Sequence, residues 1–250
     1  MVVLARGVTC IIPFFNGNEF LQEAIDSVIS PRGLPLEILI IVDLGSVDPV
    51  FSDARGNVRV LYNSGPSGGA GIARALGFKN ASFRFVCFLD ADDLWLPGKI
   101  SVQISEMQHR KLAFSFGGWR HFGSSTGKSE LGYCDKQPDM NSFLKKEFVI
   151  GCLTVCIDKS IIHYVPGNSL YRRNDYKMWF DVIRHCETAG LAWGSIRSCL
   201  GLHRLHPDSL TASRFGSVVA QFKFYRACGF NLLNSAYYMY FYIVNTIGTR

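Results

Sequence analysis

Apolar and polar positions fall into alternating blocks along the first half of the chain. Val8-Thr9-Cys10-Ile11-Ile12-Pro13 is an apolar run too short for a helix and ended by proline, which predicts a strand. From Glu19 to Ile29, Phe20, Ala24, Ser27 and Val28 fall broadly on one side at helical spacing, with Asn18 placed to cap the helix. Leu36 to Val42 predicts a second strand, which ends in the turn-like Asp43-Leu44-Gly45-Ser46. Val58 to Leu61 predicts a third, followed by the loop Asn63-Ser64-Gly65-Pro66-Ser67-Gly68-Gly69. A helix is expected from near Ala70 toward Lys79. Phe83 to Leu89 then makes a fourth strand, which runs into Asp90-Ala91-Asp92-Asp93. Strands of continuous apolar residues separated by helices imply an α/β sheet buried on both faces. Ligands on such sheets collect at the carboxyl ends of strands, where Asp43 and the Asp90–Asp93 cluster both fall.

The second half is less regular. Pro97 to Met107 reads as a helix, Ala113 to Phe122 as a strand, 123–138 as a polar loop, and a further helix runs from near Asn174 to about Ala189. No repeat or interdomain linker interrupts the chain. Ala227 to Thr249 carries no charge and is flanked by Lys223, Arg226 and Arg250. Within it Asn231, Asn234, Tyr238, Tyr242 and Asn245 recur at helical spacing, with Leu232, Leu233, Met239, Ile243 and Val244 mostly on other faces. This pattern suits a helix lying in a membrane interface, and three asparagines argue against one that spans it. Packing on the domain, or in a homodimer interface, fits the same pattern.

Composition narrows the classes. With 48% hydrophobic and 18% charged residues over 250 positions, the chain is globular and long enough for one large core. A net charge of +6 favours an anionic partner. The absence of a dense Lys/Arg run or a named binding motif speaks against nucleic acid. Eight cysteines are scattered without CxxC pairs, so a structural zinc is not expected, and Cys10 and Cys87 read as small buried hydrophobes. Scattered thiols and no signal-peptide pattern give the expectation of a cytoplasmic protein, peripheral on the inner face of the membrane if the tail meets lipid.

The acidic cluster carries the chemistry. Three carboxylates within four residues repel one another, and a hard divalent cation, magnesium or manganese, relieves that repulsion through oxygen ligands. Such a cation could neutralise a diphosphate leaving group; a solvated turn ahead of a helix is the plainer account. Gly68-Gly69-Ala70-Gly71 lacks the third glycine of a dinucleotide fingerprint and follows the third strand, and no P-loop lysine follows it. It reads as a connecting loop, or as the approach to a helix whose positive end faces phosphate.

Taken in order, Val8 to Asn16, Ile41 to Asp48, Ala73-Arg74 and Phe88 to Pro97 resemble family 2 glycosyltransferases over about the first 110 residues. That resemblance implies a GT-A fold, with a Rossmann-like nucleotide-binding half and a mixed central sheet flanked by helices, plus a C-terminal amphipathic helical tail. It implies a nucleoside-diphosphate sugar donor and inversion at the anomeric carbon. By it, Pro13, Phe15, Asp43, Arg74, Asp90 and Arg204 bind the donor nucleotide, and Asp92, Asp93 and His206 hold the metal. Leu44 departs from the family, which commonly carries there an acid that contacts the base. The catalytic domain is then expected over 1–213, divided near 110 into nucleotide and acceptor halves, with the tail over 214–250.

Arg173-Asn174-Asp175-Tyr176-Lys177-Met178-Trp179 resembles the family's Glu-Asp segment, with Asn174 in place of the Glu. Inverting transfer needs a carboxylate to take the acceptor hydroxyl proton, and Asp175 in a first helical turn is the expected base, with Trp179 under a sugar ring. A helix cap at Asn174 with a favourable first-turn acid is the plainer reading. His203-Arg204-Leu205-His206 resembles a late segment that approaches the diphosphate, with a closing polar loop as its alternative. No Gln-x-x-Arg-Trp sequence occurs, which disfavours the long-polymer synthases. The expected activity is metal-dependent transfer of one sugar to a saccharide or lipid-linked acceptor in cell-surface polysaccharide synthesis. Two rivals are a transferase-like binding protein that has lost activity and a nicotinamide-dependent oxidoreductase.

Overall fold

The computed structural model describes residues 4–123, 137–205 and 214–247. Apolar runs take up the predicted strands: β1 (Ala5–Phe14), β2 (Leu36–Val42), β3 (Val58–Tyr62) and β4 (Phe83–Phe88), with α1 (Asn18–Ser27) and α2 (Ala70–Asn80) between them. There follow β5 (Leu94–Trp95), α3 (Lys99–His109), β6 (Phe114–Phe122), α4 (Met140–Leu144), a 3-10 turn (Cys152–Thr154), β7 (Cys156–Asp158), α5 (Asn174–Thr188), β8 (Trp193–Arg204), α6 (Arg214–Ala227) and α7 (Leu232–Ile247). These strands form one sheet in the order β3-β2-β1-β4-β7-β6-β8-β5. Pairing is parallel from β3 to β4, antiparallel on both sides of β7, parallel between β6 and β8 and antiparallel at β5.

Strand pleating divides the core into two layers. Cys10, Ile12, Ile38, Ile40 and Cys87 point to the side covered by α1 and α3, whereas Ile11, Leu39, Ile41, Val86 and Phe88 point to the side covered by α2 and α5. Cys10 pairs with Cys87 and Cys87 with Cys156, so three thiols lie side by side across β1, β4 and β7 in the interior. Gly77 brings α2 against β1, since a Cβ there would stand 2.6 Å from Ile11.

The order 3-2-1-4 reverses direction between β1 and β4, which opens a crevice outside their carboxyl ends. Three amide side chains and a hydroxyl hem one lip of it. Asn16 and Asn18 accept from Val47 N and Val50 N at 2.9 and 2.7 Å, and Asn16 N donates to Ser46 Oγ. Gln22 accepts from Ser52 N at 2.8 Å. Asn18 is therefore the first residue of α1 and a tether for the 46–52 segment; Gly17 holds the cap position that the spacing had assigned to Asn18.

The tail is part of the packed body at its base. Phe224 of α6 is fully buried against Phe143, Phe180 and Tyr176, and Tyr225 beside it packs on Phe230 and Tyr238 while its hydroxyl donates to Leu144 O at 2.7 Å. In α7 the inward stripe is Ser235, Tyr238 and Tyr242, with Asn245 donating to Lys145 O at 2.8 Å. Among the described residues no helix is long and apolar enough to cross a membrane.

Candidate active site

Leaving β4, the chain turns sharply at Asp90, and Asp93 N donates back to Asp90 O at 3.1 Å. The three acids then part company. Asp93 points inward and is almost fully buried; His203 Nδ1 lies 3.0 Å from its Oδ1, and Arg204 N donates to the same oxygen at 2.9 Å. Burial pushes the Asp93 carboxyl up to about 6, with the His203 bond working in the opposite direction. Burial also opposes charge on His203, but its bond to Asp93 and the charges of Asp93, Asp90 and Asp92 outweigh that and raise it to about 9. At neutral pH the two therefore form an ion pair beneath the turn. Asp90 and Asp92 remain at the mouth of the crevice, both partly accessible.

Arg204 holds the turn from behind. Its Nε donates to Asp92 O at 2.8 Å and its Nη2 to Glu23 at 2.7 Å, while the guanidinium lies 4.2 and 4.5 Å from the rings of Phe20 and Phe122. These contacts use Nε and one Nη2 hydrogen and fix the guanidinium against the turn. His206 lies outside the described residues.

Arg74 is the join between the two halves of the crevice. Its side chain is buried, its Nη2 donates to Asp90 at 2.5 Å, and its Nη1 donates to Asn174 Oδ1 at 2.6 Å. Burial alone would weaken its charge, but Asp90, Cys152 and Asp175 around it raise the guanidinium above its ordinary value. An arginine on α2 thus ties the acidic turn to the head of α5. Gly71 makes the approach feasible, because a Cβ there would stand 2.6 Å from Asn168 O and 3.1 Å from Asn174 Cβ. Asn174 consequently serves as the acceptor for Arg74, and Arg173, in the left-handed region at φ 63°, occupies the cap position. Asp175 sits in the first turn of α5 and, among the described residues, its carboxylate makes no hydrogen bond to the protein.

On the β2 side, Asp43 faces the start of α2. It accepts from Gly69 N at 2.5 Å and from Asn63 Nδ2 at 3.0 Å. Asn63 also donates to Ser67 O and accepts from Gly65 N, so it organises the loop internally. Gly68 is required here, since a Cβ would stand 2.8 Å from Asp43 Oδ1. The glycine run lets a carboxylate sit against a helix's positive end, which removes the dinucleotide reading of it. Pro13 is half-buried at the end of β1, and Phe15 and Leu44 are exposed on either side of the crevice lip.

Trp179 is a correction to the expected sugar platform. It is fully buried between Phe88 and Phe114, with ring centroids 5.3 and 5.8 Å away, because α5 turns that face onto the sheet. Asn63, Cys152 and His203 were not singled out from sequence as site residues, although the turn-forming Asn63-Ser64-Gly65 was a signal for the first. Among the described residues no group of three His, Cys, Asp or Glu side chains converges on a cation position. The accessible acids offer hard oxygen donors only, which suits magnesium or manganese held by one or two carboxylates plus ligand oxygens.

A crevice at the β1–β4 switch, edged by acids and closed by a mixed sheet extension, is the architecture of the GT-A fold, the fold of nucleotide-sugar glycosyltransferases. The TarS 1-349 structure from S. aureus superposes with a TM-score of 0.63 at 12% identity, covering 97% of this chain and 72% of that one. The mannosyltransferase PcManGT from Pyrobaculum calidifontis, in complex with GDP-Man and Mn2+, gives 0.59 at 12% identity, covering 97% and 73%. The pattern of Glycosyl transferase family 2 matches residues 9–180, and the chain belongs to that family. It is similar to the Escherichia coli UDP-Glc:alpha-D-GlcNAc-diphosphoundecaprenol beta-1,3-glucosyltransferase WfgD, 29% identical over 95% of this chain and 92% of the relative. It is also similar to WfaP, an enzyme of the same description from the same organism, 23% identical over 95% and 93%. Family membership removes the nicotinamide-dependent oxidoreductase from consideration.

Proposed function

We propose that this glycosyltransferase moves one sugar from a nucleoside-diphosphate donor to a saccharide on a lipid diphosphate carrier, by a single displacement that inverts the anomeric carbon. The observation that carries this reading is the Arg74 bridge, which fixes the acidic turn and the head of α5 to one guanidinium. The diphosphate end and the acceptor end of a reaction are thereby held in one crevice. Asp175 lies in the first turn of α5, and among the described residues its carboxylate has no hydrogen-bond partner, so its lone pairs are open to an acceptor hydroxyl. As base it takes the proton of the acceptor hydroxyl while that oxygen attacks the anomeric carbon; the bond from that carbon to the diphosphate oxygen breaks on the far side.

Asp92, with Asp90, would hold a manganese or magnesium ion together with the diphosphate oxygens. Such an ion neutralises charge on the leaving group. Asp93 is assigned a different task from the metal ligation expected of it, fixing the turn through His203, and Arg204 is assigned to positioning rather than to phosphate. Phe15 offers an exposed ring for the base, Pro13 stiffens the strand end behind it, and Asp43 shapes the pocket by holding the glycine loop. Leu44 offers no acceptor to a base ring nitrogen, so donor selection falls to backbone groups and to Phe15. Two relatives whose names specify UDP-glucose and a diphosphoundecaprenol-linked acceptor support the substrate class.

Thermal-shift screening of nucleoside-diphosphate sugars with and without manganese tests this assignment. A cognate donor raises the melting temperature, since a ligand that binds only the folded state stabilises it. If no nucleoside diphosphate shifts the transition with either metal, the reading fails.

A further inference from the structure

Among the described residues nothing covers the outward face of α7. Leu233, Tyr237, Tyr240 and Val244 recur at i, i+4, i+7 and i+11 and are 81%, 50%, 63% and 46% exposed. Leu232 and Ile243 flank them and are exposed as well. The polar and aromatic stripe is the one turned inward onto the body, so the helix shows its apolar side to solvent, the reverse of an ordinary surface helix. A continuous apolar ridge of this kind marks an interaction surface.

Charge identifies the occupant. Residues 214–250 contain no Asp or Glu, while Lys223 and Arg226 are exposed on α6 and Lys145 Nζ lies 4.6 Å above the Phe241 ring and 5.8 Å from Tyr237. A two-fold dimer built on this ridge would bring together two copies of a segment that carries cations and no acid to pair with them. An anionic lipid surface satisfies the apolar stripe and the basic border together. Orientation follows from packing: Ser235 and Tyr242 are buried against the body, so the helix can offer a bilayer only its outer stripe and lies along the surface.

We infer that α7 is a docking ridge for the headgroup–acyl boundary of an anionic bilayer. The ridge is coupled to the crevice: on the inward side of α7, Arg173 Nη2 donates to the Tyr242 hydroxyl at 3.3 Å, and Arg173 directly precedes Asn174 and Asp175. Docking therefore sets the acceptor end of the site at a fixed distance from the lipid. This deepens the lipid-linked acceptor reading and rests on it for its purpose, though not for its test.

The test uses the full chain and vesicles that carry neither donor nor acceptor. Wild type co-sediments with vesicles of phosphatidylcholine mixed with phosphatidylglycerol, weakly with phosphatidylcholine alone, and less as salt rises. Leu233→Glu with Tyr240→Glu lowers binding roughly tenfold or more, since charge placed on the apolar face opposes insertion. Val50→Glu, at an exposed apolar residue away from the ridge, leaves binding unchanged. The melting temperature and the donor-induced shift of the double variant match wild type, so loss of docking is read apart from the transferase assignment. No binding of wild type to the anionic vesicles overturns the inference. So does binding that the double substitution leaves intact, or a solution dimer that the same substitution dissociates.

Discussion

The acidic turn after β4 and the opening turn of α5 meet on the same arginine, yet they are held in opposite ways. In the turn, Asp93 is buried on His203 and Arg204 N, the Asp92 carbonyl is held by the Arg204 guanidinium, and Asp90 by Arg74. At the head of α5, Asn174 is tied to Arg74 and Arg173 to Tyr242, but the Asp175 carboxylate beside these ties has no hydrogen bond among the described residues. One region is held by several contacts, while the other leaves a carboxylate without one among the described residues. A fixed charge array can receive a ligand without reorganising, whereas a base must have lone pairs to offer.

Four substitutions sharpen that contrast. The largest effect is expected from Asp175→Asn, which lowers transfer by about 10²–10⁴-fold while donor affinity stays at the wild-type value. A single-turnover assay beside a donor titration checks it, and normal turnover would move the base elsewhere. Arg74→Met strikes both regions at once. A fully buried ion pair broken on one side costs ~3–5 kcal/mol, and the partial exposure of Asp90 brings the expected loss to about 3. Urea unfolding should register that loss, together with failure of both donor binding and transfer.

His203→Ala removes one of the bonds to Asp93 and should cost about 2 kcal/mol, the scale of a hydrogen bond to a charged group. Its signature is weakened manganese-dependent donor binding, since the turn loosens and the α5 head does not. Gly71→Ala acts on the seam alone. The new methyl group gains about 1 kcal/mol of helix propensity but meets Asn168 O at 2.6 Å, an overpacking cost of about 1–3 kcal/mol. A net loss of about 1 kcal/mol, with transfer reduced and donor binding preserved, is the expected result. Equal loss of both activities would show that the two regions move as one.

The same division governs what could be read from the chain. β1, β2 and β4 are legible because each is a largely apolar run buried on two faces, and α2 and α5 because their spacing is sustained. β8 escaped notice: its Gly194, Ser195, Arg197, Ser198 and Gly201 break the alternation, and its register against β6 shifts twice. β5 and β7, with two and three residues, are too short to leave a periodicity. In the site, the acids and Arg74 were visible as types at strand and helix ends. Their partners were not, because His203 reaches Asp93 across 110 residues and Asn174 reaches Arg74 across 100. Trp179 was assigned to the wrong side since one turn of helix from a reactive residue fixes a face only once the helix's own packing is known. The tail's amphipathic pattern was legible; which of its stripes met the body was not.

The row of thiols across β1, β4 and β7 gives the molecule an internal clock. Cys10, Cys87 and Cys156 are closed to solvent in the folded chain, so a thiol-reactive dye reaches them only when the central strands part. Their labelling times the opening of the sheet, and the extent to which bound donor slows it measures how firmly a ligand at the strand ends clasps the layers below.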